Sequence, residues 1–250
     1  IIMTEKWIKG EVVSVKHWTE SLYSIRVAAP EVKFIAGQYT KIGLNINNEE
    51  IARPYSFVNS PNDKFLEFYS VSVPNGPLSS ALQKLKNGDQ INIGPNGNGF
   101  LILNEIPEVE NIWMLATGTG IGPYLSILRT EESWNKFKKV VLVHAVRYAK
   151  ELTYQKTISE LKEKYGERFI YVTYVSREDT KNSLKGRIPE SIASGALQQK
   201  TGIEIFPKNS HVMLCGNPAM VKDTTIQLKN IGLKKHRRSS PGHITTENYW

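Results

Sequence analysis

One stretch in the middle of the chain decides the fold: IWMLATGTGIGPYLSIL, residues 112–128. Its first five residues are apolar without a break, which is typical of a strand that is buried on both faces. A turn rich in glycine follows, and residues with helical character begin at Pro123. Glycine lets the backbone approach a ligand closely, and the start of a helix offers unpaired N–H groups to a phosphate. Residues 117–123 are therefore candidates for binding a phosphorylated ligand.

The glycines of this turn, Gly118, Gly120 and Gly122, do not have the usual spacing of a dinucleotide fingerprint. That fingerprint reads G-x-G-x-x-G, and an acidic residue further along receives a ribose hydroxyl. In this chain the next strand ends in Val143-His144-Ala145. The turn alone leaves two interpretations open, which are phosphate binding and a plain glycine turn.

The two halves of the chain differ in their patterns of predicted strands and helices. After about residue 105, predicted strands at 112–116, 140–145, 169–175 and 211–216 alternate with predicted helices at 123–128, 153–165 and 218–228. This alternation indicates a doubly wound parallel sheet. Before it, Pro, Gly and Asn separate predicted strands at 11–15, 22–27, 39–44, 55–58, 66–73 and 90–93, with one helix near 78–85. Many short strands favour an antiparallel β-barrel or sandwich, so we expect domains at residues 1–104 and 105–250.

Composition excludes several classes of protein. Of 250 residues, 40% are hydrophobic and 22% are charged, which rules out a disordered tail, a collagen-like chain and a coiled coil. No apolar run approaches the roughly 18 residues of a bilayer span. The first seven residues lack the pattern of a signal peptide, and Cys215 is the single cysteine, so no intrachain disulfide or cysteine-ligated cluster is possible. We expect a cytoplasmic protein.

The net charge of +8 fits either an anionic partner or a basic surface without a specific partner. The densest basic run, residues 234–238, is followed by loop residues. The five histidines are scattered without the spacing of metal ligands, so we expect no metal.

Three further motifs stand in order around the glycine turn. Arg53-Pro54-Tyr55-Ser56 could present a guanidinium, a ring and a hydroxyl to a flat anionic ligand. Gly76-Pro77-Leu78-Ser79 reads as a turn into a helix, and Cys215-Gly216-Asn217-Pro218 closes a strand. Each motif alone is weak. Their order and spacing resemble the bacterial subclass of the plant-type ferredoxin–NADP reductase family, as does the aromatic ending Tyr249-Trp250.

The resemblance covers residues 7–250 and implies an antiparallel barrel that holds FAD. Arg53 would pair with the pyrophosphate of FAD, Tyr55 would stack on the isoalloxazine, and Ser56 would lie near flavin N5. Pro54 departs from the small residue that is frequent there, but its fixed φ suits an extended strand. The other residues implied for FAD are Pro54, Tyr69, Ser70, Val71, Ser72, Pro77, Leu78, Ser79, Thr119, Tyr249 and Trp250.

The resemblance also implies that the parallel domain holds NADP(H). The pyrophosphate would face Thr119, Gly120 and Gly122, and a 2′-phosphate would meet Ser176, Arg177 and Arg187. A dianion suits the fork-shaped donors of arginine. The other residues implied for NADP(H) are Val146, Arg147, Cys215, Gly216, Asn217 and Pro218.

The catalytic residues implied are Ser56, Cys215 and Tyr249, and Glu247 resembles an acidic residue that some relatives carry near the flavin. Plainer interpretations stay open. Arg177 and Arg187 could be solvated loop charges, Cys215 a small packing residue, and the aromatic ending an anchor for the C-terminus.

The function implied is that of an FAD-dependent oxidoreductase, a ferredoxin/flavodoxin–NADP(+) reductase. NADPH would pass a hydride to the flavin, and ferredoxin or flavodoxin, an acidic electron carrier, would take electrons singly. We expect a monomer without membrane insertion or a nucleic-acid partner. The alternatives are another NAD(P)H:flavin oxidoreductase and the reductase component of an oxygenase. A non-enzymatic nucleic-acid binder would leave the motifs unexplained.

Overall fold

The computed structural model describes residues 7–249, which form two compact units. Unit 1 contains the residues up to 102 together with 122–130. Unit 2 contains residues 103–121 and the residues from 131 onward. The chain therefore leaves unit 2 after the glycine-rich turn and returns to it at residue 131. The assignment of residues 1–104 to FAD and of 105–250 to NADP(H) stays a prediction.

Unit 1 is built on one antiparallel sheet of six strands in the order β4-β3-β6-β1-β2-β5. Its elements are β1 (Ile8–His17), β2 (Leu22–Ala28), β3 (Tyr39–Ile46), β4 (Glu49–Ser56), β5 (Leu66–Val71), β6 (Gln90–Ile93) and helix α1 (Pro77–Gln83). Phe57, which follows β4, forms an antiparallel bridge with Phe68 of β5. Because β4 and β5 are the two edge strands of the sheet, this bridge brings the edges together and the sheet is curled. Alternate residues of β2, Tyr23, Ile25 and Val27, are buried in its core. The predicted antiparallel architecture is confirmed.

Strand β4 is longer at its start than the sequence pattern predicts. Asn47 and Asn48 both adopt a positive φ, +53° and +64°, as the two central residues of a tight hairpin turn require. The register that follows pairs Ile46 with Glu49 and Tyr39 with Ser56. This hairpin places the Arg53 motif within β4 and not before a strand.

Unit 2 is built on a parallel sheet of five strands in the order β11-β10-β7-β8-β9. The strands are β7 (Asn111–Thr117), β8 (Lys139–Val146), β9 (Phe169–Val175), β10 (Ser210–Gly216) and β11 (Ile244–Asn248). The remaining helices of the chain are α2 (Gly122–Leu128), α3 (Glu132–Lys136), α4 (Gln155–Tyr165), α5 (Ile188–Ala193), α6 (Ala196–Thr201) and α7 (Pro218–Asn230). Strand order runs outward from β7 in both directions, which confirms the predicted doubly wound sheet. In such sheets ligands bind at the carboxyl ends of the strands where the order reverses, here β7 and β10.

Four elements of unit 2 are absent from the sequence prediction. Strand β11 pairs with β10 over five residues, from Val212 with Ile244 to Gly216 with Asn248. Only its first residue is apolar, so its sequence lacks a clear strand period. Helix α3 has five residues and helices α5 and α6 have six each, which is too short for a helical period to stand out.

No helix in the part of the chain that the structure describes has the length and apolar character that a bilayer span needs. Among residues 7–249, no three His, Cys, Asp or Glu side chains come together as a possible set of metal ligands.

Replacing Ile244 by Ala tests whether β11 is an integral strand. Ile244 is fully buried in the core of unit 2, whereas Ile226 on α7 is 45% exposed. We expect Ile244→Ala to lower the free energy of unfolding by about 2–5 kcal/mol, because a cavity is left behind. The control Ile226→Ala should change it by about 0.5 kcal/mol or less. Urea unfolding followed by circular dichroism measures both, and equal losses would show that β11 is not packed as described.

Candidate functional site

The segments that follow β7 and β10 contact each other through their backbones. The N–H of Asn217 donates to Thr117 Oγ1 at 2.8 Å. A Cβ atom on Gly120 would lie 2.6 Å from the carbonyl oxygen of Cys215, and one on Gly216 would lie 2.2 Å from Thr117 Oγ1. Gly216 also has a φ of +132°, which side chains rarely allow. Only glycine fits at these two positions, so the turn lies directly on the end of β10.

The glycine-rich turn is also held from β8. The carbonyl oxygen of Gly118 lies 3.0 Å from Nε2 of His144, a fully buried residue. Burial lowers the pKa of His144 to about 4, so its ring is neutral at physiological pH. A carbonyl can only accept, so Nε2 carries the proton and donates it. Gly118 itself has open space around the position of a Cβ atom and a φ of +53°.

Asn217 and Pro218 begin helix α7. Oδ1 of Asn217 accepts hydrogen bonds from the N–H groups of Ala219 and Met220 at 2.9 and 3.3 Å. Asn217 is therefore the N-cap of the helix, and Pro218 occupies the first turn, where its missing N–H costs nothing. Both residues were predicted as NADP(H) contacts, and the structure shows them shaping the start of α7.

Strand β11 brings three predicted residues to the end of β10. Glu247 pairs with Cys215 in the sheet register, and the N–H of Tyr249 donates to the carbonyl of Gly216 at 3.0 Å. Cys215 is fully buried, and burial, with a smaller effect of Glu247, raises the pKa of its thiol. Cys215 is therefore a neutral thiol. Trp250, predicted beside Tyr249, lies outside the described residues.

Glu247 carries an unusual carboxyl group. The residue as a whole is half-buried, but Oε1 is completely buried and has no hydrogen-bond partner among residues 7–249. Burial raises the pKa of this carboxyl to about 7. At neutral pH the group can therefore hold or release a proton next to Cys215.

Predicted basic residues gather at the carboxyl ends of β8 and β9. The N–H of Arg177 donates to the carbonyl of Arg147 at 2.9 Å, and the N–H of Ser176 donates to that of Val146 at 3.1 Å. Arg187 precedes α5, and its segment is joined to β9 by a bridge between Tyr174 and Leu184. The three arginines are exposed, and within the described ranges their guanidinium groups form no ion pair. Such cations are available to a phosphorylated ligand.

In unit 1, the Arg53 motif lies on β4 at the edge of the sheet. Arg53 is exposed, and its guanidinium donates to the carbonyl of Ala52 at 2.7 Å. Tyr55 is half-buried, and burial raises its pKa, while a hydrogen bond with Ser70 lowers it. The exposed Pro54 is tolerated because an edge strand has N–H groups without a ladder partner.

Ser56 ends β4 and is buried. Its hydroxyl has no hydrogen-bond partner in the described part of the chain. Buried hydroxyl groups are nearly always paired, so this one suits a polar group of a ligand.

The turn between β5 and α1 is held by Ser79. Its hydroxyl accepts from the N–H of Val73 at 3.2 Å and lies 3.3 Å from the carbonyl of Gly76. The carbonyl of Ser79 accepts from the Tyr23 hydroxyl at 2.7 Å. Leu78 is buried in the core of unit 1, whereas Pro77 is exposed at the first position of α1. The side chains of Leu78 and Ser79 thus build the turn.

The strand predicted to line the flavin is β5. Tyr69 and Ser70 are buried, whereas Val71 and Ser72 are half-buried. Ser70 pairs with Tyr23 in the register of β5 with β2.

Two family models match the chain. One, described as an oxidoreductase FAD-binding domain, covers residues 11–100. The other, described as an oxidoreductase NAD-binding domain, covers residues 114–225. Together with the two sheets and the candidate sites on each, they define an oxidoreductase with two nucleotide-binding units.

Proteins of similar sequence or structure match this chain over nearly its whole length. A flavodoxin/ferredoxin–NADP reductase of Escherichia coli (strain K12) is 49% identical over 245 residues, with 98% of this chain and 99% of the relative covered. A ferredoxin–NADP reductase of Azotobacter vinelandii is 36% identical, with 94% and 95% covered. A crystal structure of a ferredoxin NADP+ reductase from Neisseria gonorrhoeae with bound FAD and NADP has a TM-score of 0.94 at 33% identity, with 99% and 100% covered. The chain belongs to the flavodoxin/ferredoxin–NADP reductase family.

Sequence analysis missed the part that His144 plays. It stands where a dinucleotide-binding chain often has an acidic residue, and it was interpreted as an ordinary strand residue. The sequence offered a signal, a polar residue within an otherwise apolar strand. Its bond to the turn depends on the pairing of β8 with β7, which the sequence does not display.

The raised pKa of Glu247 predicts a specific dependence of stability on pH. In the folded state the Glu247 carboxyl stays protonated up to its raised pKa of about 7. In the unfolded chain it loses its proton at its usual pKa of 4.5. The protonated carboxyl therefore makes its full contribution to stability below pH 4.5. That contribution is lost as the pH rises from 4.5 to 7. We expect Glu247→Gln to gain stability relative to the wild type over that range, measured as the midpoint of urea unfolding.

Titration of the labelled carboxyl carbon by NMR checks the assignment directly, and a midpoint near 4.5 would contradict it. Glu105 serves as the control, because its hydrogen bond with Arg238 lowers its pKa. Its stabilising contribution is instead lost as the pH falls, so Glu105→Gln should show the opposite trend.

Proposed function

We propose that this chain is an FAD-dependent oxidoreductase that transfers electrons between NADPH and ferredoxin or flavodoxin. One observation carries the proposal. Among residues 7–249, the buried Ser56 hydroxyl of the antiparallel sheet has no hydrogen-bond partner, and the exposed Arg147, Arg177 and Arg187 of the doubly wound sheet form no ion pair. The first suits a flavin and the second a phosphorylated dinucleotide. Family membership and the names of the relatives support the same function.

The cofactor supplies the electron chemistry. When bound, FAD can take two electrons from NADPH and deliver them one at a time, which links a hydride donor to a one-electron carrier. The chain supplies binding and orientation. In unit 1, the exposed Arg53 guanidinium would neutralise the pyrophosphate of FAD, the half-buried ring of Tyr55 would offer its face to the isoalloxazine, and the Ser56 hydroxyl would find its missing partner at flavin N5.

Unit 2 would bind the nicotinamide dinucleotide across the ends of its strands. The turn would offer backbone N–H groups at Thr119, Gly120 and Gly122 to the pyrophosphate. The missing Cβ atom of Gly120 lets the turn lie against the end of β10, where the ligand would bind. Arg147, Arg177 and Arg187, with Ser176 and Val146 beside them, would hold the adenosine end with its 2′-phosphate.

The end of β10 would receive the nicotinamide ring. Cys215, a neutral and fully buried thiol, would lie beside the ring as a small soft group, next to Gly216, whose missing Cβ atom lets Thr117 pack closely. Tyr249, whose backbone is fixed to Gly216, would cover the flavin together with Trp250 and exclude water. Hydride transfer itself needs no general base, so alignment of the two rings is the main requirement.

The net charge of +8 supports an acidic carrier as the partner, because opposite charge speeds association more than it tightens binding. We also propose that the enzyme works in the cytoplasm as a monomer. The single, buried Cys215 is compatible with a reducing compartment.

Electron transfer to the carrier is the direct test of the function. The purified protein should be yellow and should reduce ferredoxin or flavodoxin with NADPH. The rate should fall as salt is added, because charges are screened over a Debye length of about 8–10 Å. Reduction of a small uncharged acceptor is the control and should not depend on salt. A colourless protein that oxidises no NADPH would overturn the proposal, and a salt-independent carrier rate would overturn its electrostatic part.

Preference for NADPH over NADH tests the arginine site. The double change Arg177→Ala with Arg187→Ala removes two guanidinium groups that NADH would not need. A hydrogen bond to a charged group contributes about 1.5–3 kcal/mol, so the pair should favour NADPH by roughly a hundredfold or more. We expect the Michaelis constant for NADPH to rise strongly and the kinetics with NADH to stay nearly unchanged.

Lys181 provides a matched control for this change, because it is an exposed cation between Arg177 and Arg187. Lys181→Ala should have little effect on either nucleotide. Equal losses with NADH and NADPH in the double variant would mean that the two arginines support the fold or the pyrophosphate, and the specificity argument would then be wrong.

A further inference from the structure

Helix α2 and the residue that follows it, Arg129, contact the segment after the Arg53 motif through two polar side chains. All seven residues of the helix are buried, and the helix belongs to unit 1. The Ser126 hydroxyl donates to the carbonyl of Asn59 at 2.6 Å. Just after the helix, the Arg129 guanidinium donates to the carbonyl of Val58 at 3.2 Å. Both acceptors lie within three residues of Ser56, the last residue of β4.

The acceptor segment is itself fixed to β5. The side-chain oxygen of Asn59 accepts from the N–H of Glu67 at 2.7 Å, and the N–H of Val58 donates to the carbonyl of Glu67 at 2.8 Å. The Glu67 carboxylate lies 3.4 Å from the Arg129 guanidinium and 3.8 Å from that of Arg26 on β2. Four of the network's residues, Val58, Asn59, Glu67 and Ser126, are less than 9% exposed.

Burial makes this network rigid. In a low-dielectric interior each hydrogen bond is stronger than in water, and a broken bond leaves a polar group that costs free energy. Arg129 is held at two points by its contacts with Val58 and Glu67, and one of them is charge-assisted. Nothing in the binding of FAD or NADP(H) as proposed above uses these residues.

The chain connects this network to the glycine-rich turn. The turn covers Gly118–Ile121, and α2 begins at the next residue, Gly122. No flexible linker separates the two, so the bonds that anchor α2 also anchor the end of the turn.

We propose that Ser126 and Arg129 are positioning residues for electron transfer from the nicotinamide nucleotide to the flavin. The inference rests on the proposed function, in which the turn holds the nucleotide and β4 holds the flavin. Neither residue is among those proposed above to hold a cofactor. They act by holding α2 in one place, so that the nicotinamide is presented in a reactive position. Reactions of this kind depend steeply on geometry, and a misplacement of about 1 Å can cost about a hundredfold in rate.

Arg129→Gln, compared with Arg26→Gln, separates positioning from stability. Both changes remove one guanidinium from the same Glu67 carboxylate, but only Arg129 belongs to the α2 anchor. In stopped-flow reduction of the FAD-loaded enzyme by NADPH, Arg129→Gln should slow flavin reduction about tenfold or more. Its dissociation constant for NADP+, its FAD content and its reduction by dithionite should stay unchanged. Arg26→Gln should reduce its flavin within about twofold of the wild-type rate.

Ser126→Ala is the second variant, because it removes a single oxygen atom and adds no bulk to the tightly packed helix. It should also slow the reduction step and spare NADP+ affinity, and Arg129→Lys should recover part of the lost rate. Wild-type rates in both Arg129→Gln and Ser126→Ala would overturn the inference. A loss that is equal in the Arg26 and Arg129 variants, or that follows loss of FAD, would overturn it as well. A wild-type enzyme that NADPH does not reduce would instead overturn the proposed function.

Discussion

The backbone contact between the turn after β7 and the end of β10 is the constraint on which the candidate site depends. It requires two positions without a Cβ atom, Gly120 and Gly216, and one hydrogen bond from Asn217 to Thr117. Because the two segments touch, the N–H groups of the turn, the Cys215 thiol and the start of α7 all meet where the strand order reverses. A larger residue at either glycine would push the two segments apart. The shape of the site would then change although all of its functional groups were still present.

Burial and charge divide the site into regions with different chemistry. Near the end of β10, burial keeps the thiol of Cys215 and the ring of His144 neutral and raises the pKa of Glu247, so the surroundings there are poor in charge. At the ends of β8 and β9 the arginines are exposed and unpaired within the described residues. Reduced NADPH, whose dihydronicotinamide ring is uncharged and whose adenosine end carries a 2′-phosphate, matches this gradient. The arrangement explains how one sheet can orient such a ligand as well as bind it.

Helix α2 shows that units defined by packing need not follow the order of the chain. Its sequence continues the turn of unit 2, yet its buried face and its hydrogen bonds belong to unit 1. The chain therefore passes from unit 2 into unit 1 after residue 121 and returns to unit 2 at residue 131.

The sequence by itself determined the two sheet types, the glycine turn and most of the candidate residues, because these depend on local periodicity and on residue types that only a few conformations accept. The tertiary structure decided the rest. Strand β11 pairs with β10 along its whole length, but its own ITTEN sequence has no alternation of apolar and polar residues that would reveal a strand. The bond from His144 to the turn and the packing of α2 in unit 1 join residues far apart in the chain. The same kind of packing leaves the Ser56 hydroxyl without a partner among the described residues. Such contacts depend on strand register and on how helices pack, and a local sequence pattern carries no record of either.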